Sequence, residues 1–295
     1  MLHNYKCREY KFESYWHFKD YQAMAKNCIA IIVNDRYIKG AIVTLFSFFE
    51  YNKWFDGDIV ILFDNKYCIL SEDNKELLSK SFKNVVFKEC KPDNYLSIIK
   101  QFKGKTNERF IPSMYTIESF GLSEYKKVLY LDADLIFLNS IKEFFEDDTF
   151  LCAVPTNRRI NRKINAPMFR KEQLFNCGIL LINNPSVDIY NDILNTKIKI
   201  SQKITGQYLE QDILNFYTIG KNVKLYPIEY NNCNIGFSAN IDPKKVKIIH
   251  YVGPTKPWSE VIPTDTMINT DIWNYFYKKW QRKFENQNKS CIFVK

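Results

Sequence analysis

The stretch Val128-Leu129-Tyr130-Leu131-Asp132-Ala133-Asp134 decides the fold, because an apolar strand ends in two acidic residues separated by one position. Side chains at positions i and i+2 of a pleated strand point to the same side, so both carboxylates can face one cation. Far downstream, His250 ends a second apolar run and is followed by Gly253 and Lys256. Together the two strand ends predict a site for a divalent metal and a diphosphate.

An Asp-x-Asp pair has a plain alternative as a solvated strand end or as a turn that caps the next helix. Its position directly after an apolar strand favours the metal site. Hard carboxylate oxygens suit Mg²⁺ or Mn²⁺, and a neutral imidazole from His250 favours Mn²⁺, with Mg²⁺ as the alternative.

Short apolar runs recur along the chain and predict the strands of a sheet. They cover residues 28–33, 59–63, 85–87, 128–131, 150–154, 178–182 and 246–249. Because the runs are apolar on both faces, we expect interior strands of a mostly parallel sheet. Helical stretches at 37–51, 71–82 and 113–125 lie between them, with Ser71 as a candidate N-cap. This alternation predicts a three-layer α/β/α fold with ligands at the carboxyl ends of the strands.

Composition limits the class of protein. A chain of 295 residues with 46% apolar residues can bury one large core. No run approaches the roughly 20 apolar residues of a membrane span, and the first residues lack the apolar core of a signal peptide. We therefore expect a cytoplasmic protein that is not secreted. Cys28, Cys152 and Cys177 fall in apolar strands, which favours buried free thiols over disulfides or zinc ligands.

The net charge of +9 favours anionic partners such as a nucleotide, an acidic polymer or a lipid surface. The basic residues are spread along most of the chain, so we expect no nucleic-acid partner. At the first strand end, Asn34 can offer its amide to a pyrimidine and Tyr37 can stack on the ring. The alternative is that Asn34 or Asp35 caps the next helix while Tyr37 packs locally.

Five motifs, in this order, resemble the retaining glycosyltransferases of family 8, which include glycogenin, galactinol synthase and bacterial lipopolysaccharide galactosyl- and glucosyltransferases. They are Ile32-Val33-Asn34-Asp35-Arg36-Tyr37-Ile38-Lys39-Gly40, the Asp132-Ala133-Asp134 strand end, Phe175-Asn176-Cys177-Gly178, Glu210-Gln211-Asp212-Ile213-Leu214-Asn215 and His250-x-x-Gly253-x-x-Lys256-Pro257-Trp258. Each motif alone is weak, but five in family order are hard to obtain by chance.

The resemblance implies one GT-A (Rossmann-like) domain over residues 27–260, with a mixed, mostly parallel central sheet. It also implies a nucleotide-sugar donor, most often a UDP-hexose, and leaves UDP-glucose, UDP-galactose and UDP-N-acetylglucosamine open. The implied metal ligands are Asp132, Asp134 and His250. The implied donor contacts are Ile32, Val33, Asn34, Tyr37, Arg109, Ala133, Asn176, Cys177, Gly178, Gly253 and Lys256. The implied catalytic residues are Gln211, Glu210 and Lys256.

The resemblance assigns a role to each catalytic residue. Lys256 stabilises the departing diphosphate, Gln211 stabilises the reacting sugar, and Glu210 forms a hydrogen bond with the sugar. In the implied mechanism the acceptor attacks from the leaving-group side. For Lys256 the alternative is an exposed charge, and for Trp258 a ring that anchors its loop. Relatives usually carry Arg or Lys near the position of Thr116, so Arg109 is the expected substitute. Cys177 and Glu210 also depart from the usual family residues.

Two terminal regions flank the predicted domain. Residues 1–26 are rich in aromatics, and residues 261–295 predict an amphipathic helix with a basic face, carrying Trp273, Phe276 and Trp280. Docking of this helix onto the domain is favoured. The alternative is that the helix contacts a membrane surface, in which case the protein would be peripheral to a membrane.

The acceptor stays open among glycan, protein, polyol and lipid, and so does the choice between monomer and homodimer. A metal-dependent nucleotide hydrolase or nucleotidyltransferase would also use Asp132 and Asp134 but has no need of the Asn176 and His250 motifs. A catalytically silent membrane- or partner-binding protein is the other alternative.

Overall fold

The computed structural model of the protein describes residues 26–101, 110–156, 174–197, 209–233, 243–259 and 270–292. The strands are β1 (Asn27–Ile32), β2 (Asp58–Phe63), β3 (Val85–Glu89), β4 (Lys127–Leu131), β5 (Leu135–Phe137), β6 (Leu151–Pro155), β7 (Phe175–Asn183), β8 (Val223–Leu225), β9 (Asn232–Cys233) and β10 (Ile248–His250). The α-helices are α1 (Ile38–Tyr51), α2 (Glu72–Ser81), α3 (Leu96–Ile99), α4 (Lys142–Phe145), α5 (Val187–Leu194), α6 (Leu209–Tyr217) and α7 (Thr270–Ile292).

The main sheet has seven strands in the order β3-β2-β1-β4-β7-β6-β8. Strands β1 to β4 run parallel to one another, whereas β7 runs antiparallel to both β4 and β6. The prediction of a mixed, mostly parallel sheet in an α/β fold is therefore confirmed. Because β7 is reversed, its amino-terminal end lies at the same edge of the sheet as the carboxyl ends of β1 and β4.

The residues of the central strands alternate between two hydrophobic cores, as the pleat requires. In β1, Ile29 and Ile31 belong to the core beneath α1, α4 and α7, whereas Cys28 and Ala30 belong to the core beneath the opposite helices α3, α5 and α6. The apolar runs are thus buried on both faces, which gives three layers. The cysteines at positions 28, 68, 90, 152, 177 and 233 are free, and the first five of these are buried, which agrees with the expectation for Cys28, Cys152 and Cys177.

Two of the runs that predicted interior strands have other positions. Strand β3 lies at the edge of the main sheet, and Val86 is 42% exposed there. Strand β10 is the centre of a separate three-stranded sheet, antiparallel to β5 and parallel to β9. The predicted helix at 113–125 is a 3-10 helix at Pro112–Gly121. Its proline stands at the first helical positions, where a missing N–H is tolerated.

Helix α1 fixes the short strand that follows the Asp-x-Asp motif. The Thr44 hydroxyl accepts the N–H of Leu135 at 3.0 Å and donates to its carbonyl oxygen at 2.9 Å. One turn later the Ser47 hydroxyl accepts the N–H of Phe137 at 3.0 Å. These buried hydroxyls form hydrogen bonds with backbone groups of β5 that strand pairing leaves unpaired. Strand β5 therefore has a defined position on the helix.

Helix α7 packs its aromatic face on α1. Trp273, Phe276 and Trp280 are nearly fully buried in the core that α1 shares with the sheet, and Lys279 pairs with Glu50 of α1. The aromatic residues of the predicted amphipathic helix therefore contact the domain. No helix within the described ranges is both long enough and apolar enough to cross a membrane.

Candidate active site

The two aspartates of the motif lie at the carboxyl end of β4. The N–H of Asp132 donates to the Gly178 carbonyl oxygen at 2.8 Å, which places the start of β7 beside the motif. The Tyr130 hydroxyl, buried beneath the strand, donates to Asp132 Oδ1 at 2.9 Å. Asp132 is partly exposed, whereas Asp134 is 6% exposed. One carboxylate is thus open to solvent and the other is enclosed by protein.

His250 reaches the aspartates through the small sheet. It pairs with Leu135 in the antiparallel register of β5 and β10, and the N–H of Tyr251 donates to the Asp134 carbonyl oxygen at 2.9 Å. Its Nε2 lies 3.2 Å from Asp134 Oδ1 and 3.5 Å from Asp132 Oδ2. One ligand atom from each of the three residues lies within 4.8 Å of the others.

The charged groups of this cluster shift one another's pKa values. Burial opposes charging of His250, but the Asp134 carboxylate outweighs it and raises the pKa of His250 to about 10. Burial and the neighbouring Asp134 charge raise the pKa of Asp132 to about 6. Burial also acts against ionisation of Asp134, but His250 and Lys256 override it and lower its pKa. Asp134 is therefore a carboxylate held between two cationic groups.

Lys256 completes the cluster. It is 7% exposed, its Nζ pairs with Asp134 Oδ2, and it donates to the Tyr251 carbonyl oxygen at 2.8 Å. The alternative of an exposed lysine is therefore wrong. Gly253, within the intervening loop, has a φ of 101°, a conformation that favours glycine.

The loop after β1 forms one side of this site. Asn34 Oδ1 accepts the N–H of Tyr37 at 3.1 Å and so closes the turn before α1, whereas the N-cap residue of α1 is Tyr37, which has no side-chain cap. The Tyr37 ring lies 5.8 Å from Lys256 Nζ and edge-on to Trp258 at 5.7 Å. Trp258 Nε1 donates to the Arg36 carbonyl oxygen at 2.9 Å, so this ring does anchor its loop. Reading of a nucleotide base by Asn34 and Tyr37 stays a prediction.

Three further predicted donor contacts belong to the backbone frame. Val33 is buried and Ile32 is half-buried at the end of β1. Ala133 is buried between the aspartates, and its carbonyl oxygen lies against Gly40 of α1. The structure describes nothing at Arg109, which lies outside the described residues.

The predicted sugar-side residues meet at the start of β7 and of α6. Asn176 Nδ2 donates to Gln211 Oε1 at 3.1 Å, and Asn176 Oδ1 accepts the N–H of Gly178 at 2.8 Å. Cys177 is buried and points to the other face of the strand. Burial raises the pKa of Glu210, although a hydrogen bond from Ser113 opposes the shift. The structure thus brings the Asn176 motif and the Gln211 motif into contact.

Two asparagines of this region were not among the predicted site residues. Asn231 is 2% exposed, and its Oδ1 lies 2.8 Å from His250 Nδ1. Asn215 is also buried, and its side chain bonds both the N–H and the carbonyl oxygen of Phe175, each at 3.0 Å. Asn215 lies in a motif that the sequence did single out. Nothing local in the sequence marks Asn231.

The three clustered side chains fit a divalent cation. Two carboxylates and one imidazole form a set of hard and borderline donors that suits Mn²⁺ or Mg²⁺. Nδ1 of His250 is hydrogen-bonded to Asn231, so Nε2, on the side of the aspartates, is the nitrogen that can bind a metal. Metal-binding histidines are usually held in this way by a second hydrogen bond.

A protein-family model, described as glycosyl transferase family 8, matches residues 28–261. The chain belongs to this family. Family 8 membership implies glycosyl transfer, and the Asp-Asp-His cluster lies inside the matched region.

The chain is similar to several curated family 8 proteins. It is 23% identical to mouse glycogenin-1 over 256 residues, which cover 82% of this chain and 68% of the relative. It is 30% identical to the probable glycosyl transferase Gly of Streptococcus gordonii over 166 residues, which cover 52% of this chain and 22% of the relative. The chain spans well under half the length of this second relative.

Solved structures show the same fold. An active-site mutant of LgtC, in which glutamate replaces a glutamine, has a TM-score of 0.67 at 20% identity and covers 85% of this chain and 95% of its own. The galactosyltransferase LgtC in complex with donor and acceptor sugar analogs has a TM-score of 0.61 at 23% identity, with the same two coverages. These similarities confirm the GT-A fold class.

Proposed function

We propose that the protein is a metal-dependent retaining glycosyltransferase that moves a hexose from a UDP-sugar to a hydroxyl group. The observation that carries this proposal is the convergence of Asp132, Asp134, His250 and Lys256 at one edge of the sheet. A diphosphate needs positive charge from a cation and from the protein, and this cluster offers ligands for the first and a buried lysine for the second.

The three ligand residues would hold Mn²⁺, or Mg²⁺ in its place. When bound, the cation supplies positive charge to the two phosphates of the donor. Lys256 lies between Asp134 and the Tyr37 ring, so its ammonium group can reach a phosphate that lies beside the aspartates. Gly253 leaves room for the diphosphate to approach the loop backbone closely.

The chemistry breaks the bond between the anomeric carbon and the phosphate oxygen. Negative charge then develops on UDP, where Lys256 stabilises it. The acceptor hydroxyl attacks the anomeric carbon from the leaving-group side and gives its proton to the UDP oxygen, which retains the configuration. The Gln211 amide stabilises the sugar, and Glu210 forms a hydrogen bond with a sugar hydroxyl.

The donor and acceptor classes follow from the same resemblance. The similar LgtC complex holds donor and acceptor sugar analogs, which supports a sugar acceptor here as well. Similarity to mouse glycogenin-1 and to tomato galactinol synthase 2 keeps protein and polyol acceptors in the test. We propose a UDP-hexose donor and a hydroxyl acceptor from among glycans, proteins, polyols and lipids.

The test is release of UDP from a panel of UDP-hexoses with Mn²⁺, with Mg²⁺ and with EDTA. We expect release from one UDP-hexose, loss of release in EDTA, and loss of release in Asp134→Ala. Asp148→Ala is the matched control, because that aspartate is 84% exposed, and its buried partner Lys127 keeps hydrogen bonds to the carbonyl oxygens of Phe145 and Asp147. Release of inorganic phosphate or pyrophosphate instead of UDP would replace transfer with nucleotide hydrolysis, and no release from any donor would refute the proposal.

A further inference from the structure

Four side chains form a continuous hydrogen-bonded chain behind the metal-ligand cluster. His250 Nδ1 contacts Asn231 Oδ1 at 2.8 Å, and Asn231 Nδ2 donates to Asn176 Oδ1 at 2.8 Å. Asn176 Nδ2 then donates to Gln211 Oε1 at 3.1 Å. The chain crosses from the small sheet to β7 and on to α6. It joins a metal-ligand residue to the residue proposed to stabilise the sugar.

One backbone group fixes the direction of every bond in this chain. The N–H of Gly178 donates to Asn176 at 2.8 Å, so the atom that accepts it must be the amide oxygen Oδ1. The Asn231 atom that faces the same oxygen must then be its NH₂ group. The other end of Asn231, which faces His250, is consequently its carbonyl oxygen.

This direction determines the hydrogen position on His250. A carbonyl oxygen accepts and cannot donate, so Nδ1 carries the hydrogen. In the neutral imidazole, Nε2 is then the nitrogen with the lone pair, and it is Nε2 that faces Asp132 and Asp134. The close packing of the ring on Gly178 reinforces this orientation, because a Cβ on Gly178 would lie 2.4 Å from His250 Cε1.

The same direction determines which end of Gln211 is available. The NH₂ group of Asn176 is directed at Gln211, so Gln211 presents its oxygen to Asn176. Within the described ranges, no hydrogen bond occupies Gln211 Nε2, and this NH₂ group is left for the donor sugar. A change in Asn231 therefore affects both ends of the chain.

We propose that Asn231 is a positioning residue that holds His250 in its ligand form and, through Asn176, orients the Gln211 amide. This inference rests on the proposed function and extends it to a residue outside the five sequence motifs. Asn231 acts on two properties that can be measured separately. One is affinity for the metal, and the other is turnover at saturating metal.

Two substitutions separate these properties. Asn231→Ala removes both bonds, so we expect Mn²⁺ affinity to fall about 10- to 100-fold, as for other partners of metal-binding histidines. Turnover should stay low when Mn²⁺ is saturating, because the amide chain is still broken. Asn231→Asp keeps an acceptor for His250 but replaces the NH₂ donor, so it should restore Mn²⁺ affinity and leave turnover about 10- to 100-fold low.

Asn232→Ala is the matched control. Asn232 is the next residue, is 8% exposed, and its Oδ1 has no hydrogen-bond partner in the described part of the chain. It should match the wild type in both properties. Mn²⁺ binding is measured by calorimetry in the presence of UDP, and turnover by UDP release at saturating Mn²⁺. Circular dichroism checks that each variant folds. If Asn231→Ala does not fold, Asn231→Asp alone provides the test.

The inference is overturned if Asn231→Ala binds Mn²⁺ as tightly as Asn232→Ala. It is also overturned if Asn231→Asp turns over at the wild-type rate. If the wild type binds Mn²⁺ but releases no UDP from any donor, the proposed function fails. The Mn²⁺ titrations still decide the role of Asn231 in that case, so the two failures are distinguishable.

Discussion

Replacing Gly40 by alanine should disturb the active site from inside helix α1. A Cβ at this position would lie 2.3 Å from the carbonyl oxygen of Ala133 and 2.4 Å from Cη2 of Trp258. Neither neighbour can move freely. Ala133 is part of the Asp-x-Asp backbone, and Trp258 is held by its bond to the Arg36 carbonyl oxygen and by its contact with Trp273.

The size of the effect follows from the missing space. Ordinary contacts of a Cβ begin at 3.4 Å, so the helix and the motif must separate by about 1 Å. Overpacking of this kind costs about 1–3 kcal/mol, whereas alanine gains about 1 kcal/mol over glycine in a helix. The net change is a destabilisation of up to about 2 kcal/mol. A displacement of 1 Å at a catalytic site lowers turnover about 100-fold.

The assay compares Gly40→Ala with Gly121→Ala in UDP release and in thermal unfolding. Gly121 is a suitable control because the atoms that meet its Cβ, at 3.1–3.3 Å, all belong to the side chain of Tyr190. We expect Gly40→Ala to lose UDP release while Gly121→Ala retains it. Wild-type turnover and an unchanged melting temperature in Gly40→Ala would show that the close approach of α1 does not hold the motif in place.

Three other substitutions test separate parts of the structure. Lys256→Met should lower UDP release about 100- to 1,000-fold without weakening Mn²⁺ binding, and near-normal release would remove Lys256 from the mechanism. Asn215→Ala should lower the free energy of unfolding by about 1–3 kcal/mol in urea, because it leaves buried backbone groups of Phe175 unpaired; an unchanged urea midpoint would contradict this reason. Phe276→Ala should cost about 3–5 kcal/mol in the same assay, whereas Tyr275→Ala, at a position 59% exposed, should change little; equal effects would mean that α7 is not docked as described.

Local sequence patterns predicted the elements whose cause is local. The run before Asp132 is apolar on both faces because β4 has a core on each side, and the strand is where the pattern indicated. Helices α1 and α2 likewise match the predicted stretches to within a residue at each end. Ser71 does occupy the N-cap of α2, but its hydroxyl donates to Asp35 instead of capping the helix. The position could be predicted and the bond could not, because Asp35 is distant in sequence.

The remaining features depend on contacts between distant segments. Strands β5, β8 and β9 have only two or three residues each, too few to show a period. The predicted strand at 246–249 is real, but its place in a separate sheet depends on pairing with β5. Asn231 acquires its role from His250, 19 residues away, and from Asn176, 55 residues away. Such a role has no signal in the residues that flank it.

The pairing of β5 with β10 also sets the order in which the site can form during synthesis. Leu135 and its partner His250 are more than a hundred residues apart. At about 5–20 residues per second, the ribosome needs roughly 6–23 s to add the segment between them. Until then the nascent chain has the two aspartates without their imidazole and without Lys256. The cluster becomes complete only when β10 pairs with β5, so metal binding reports on a late step of folding.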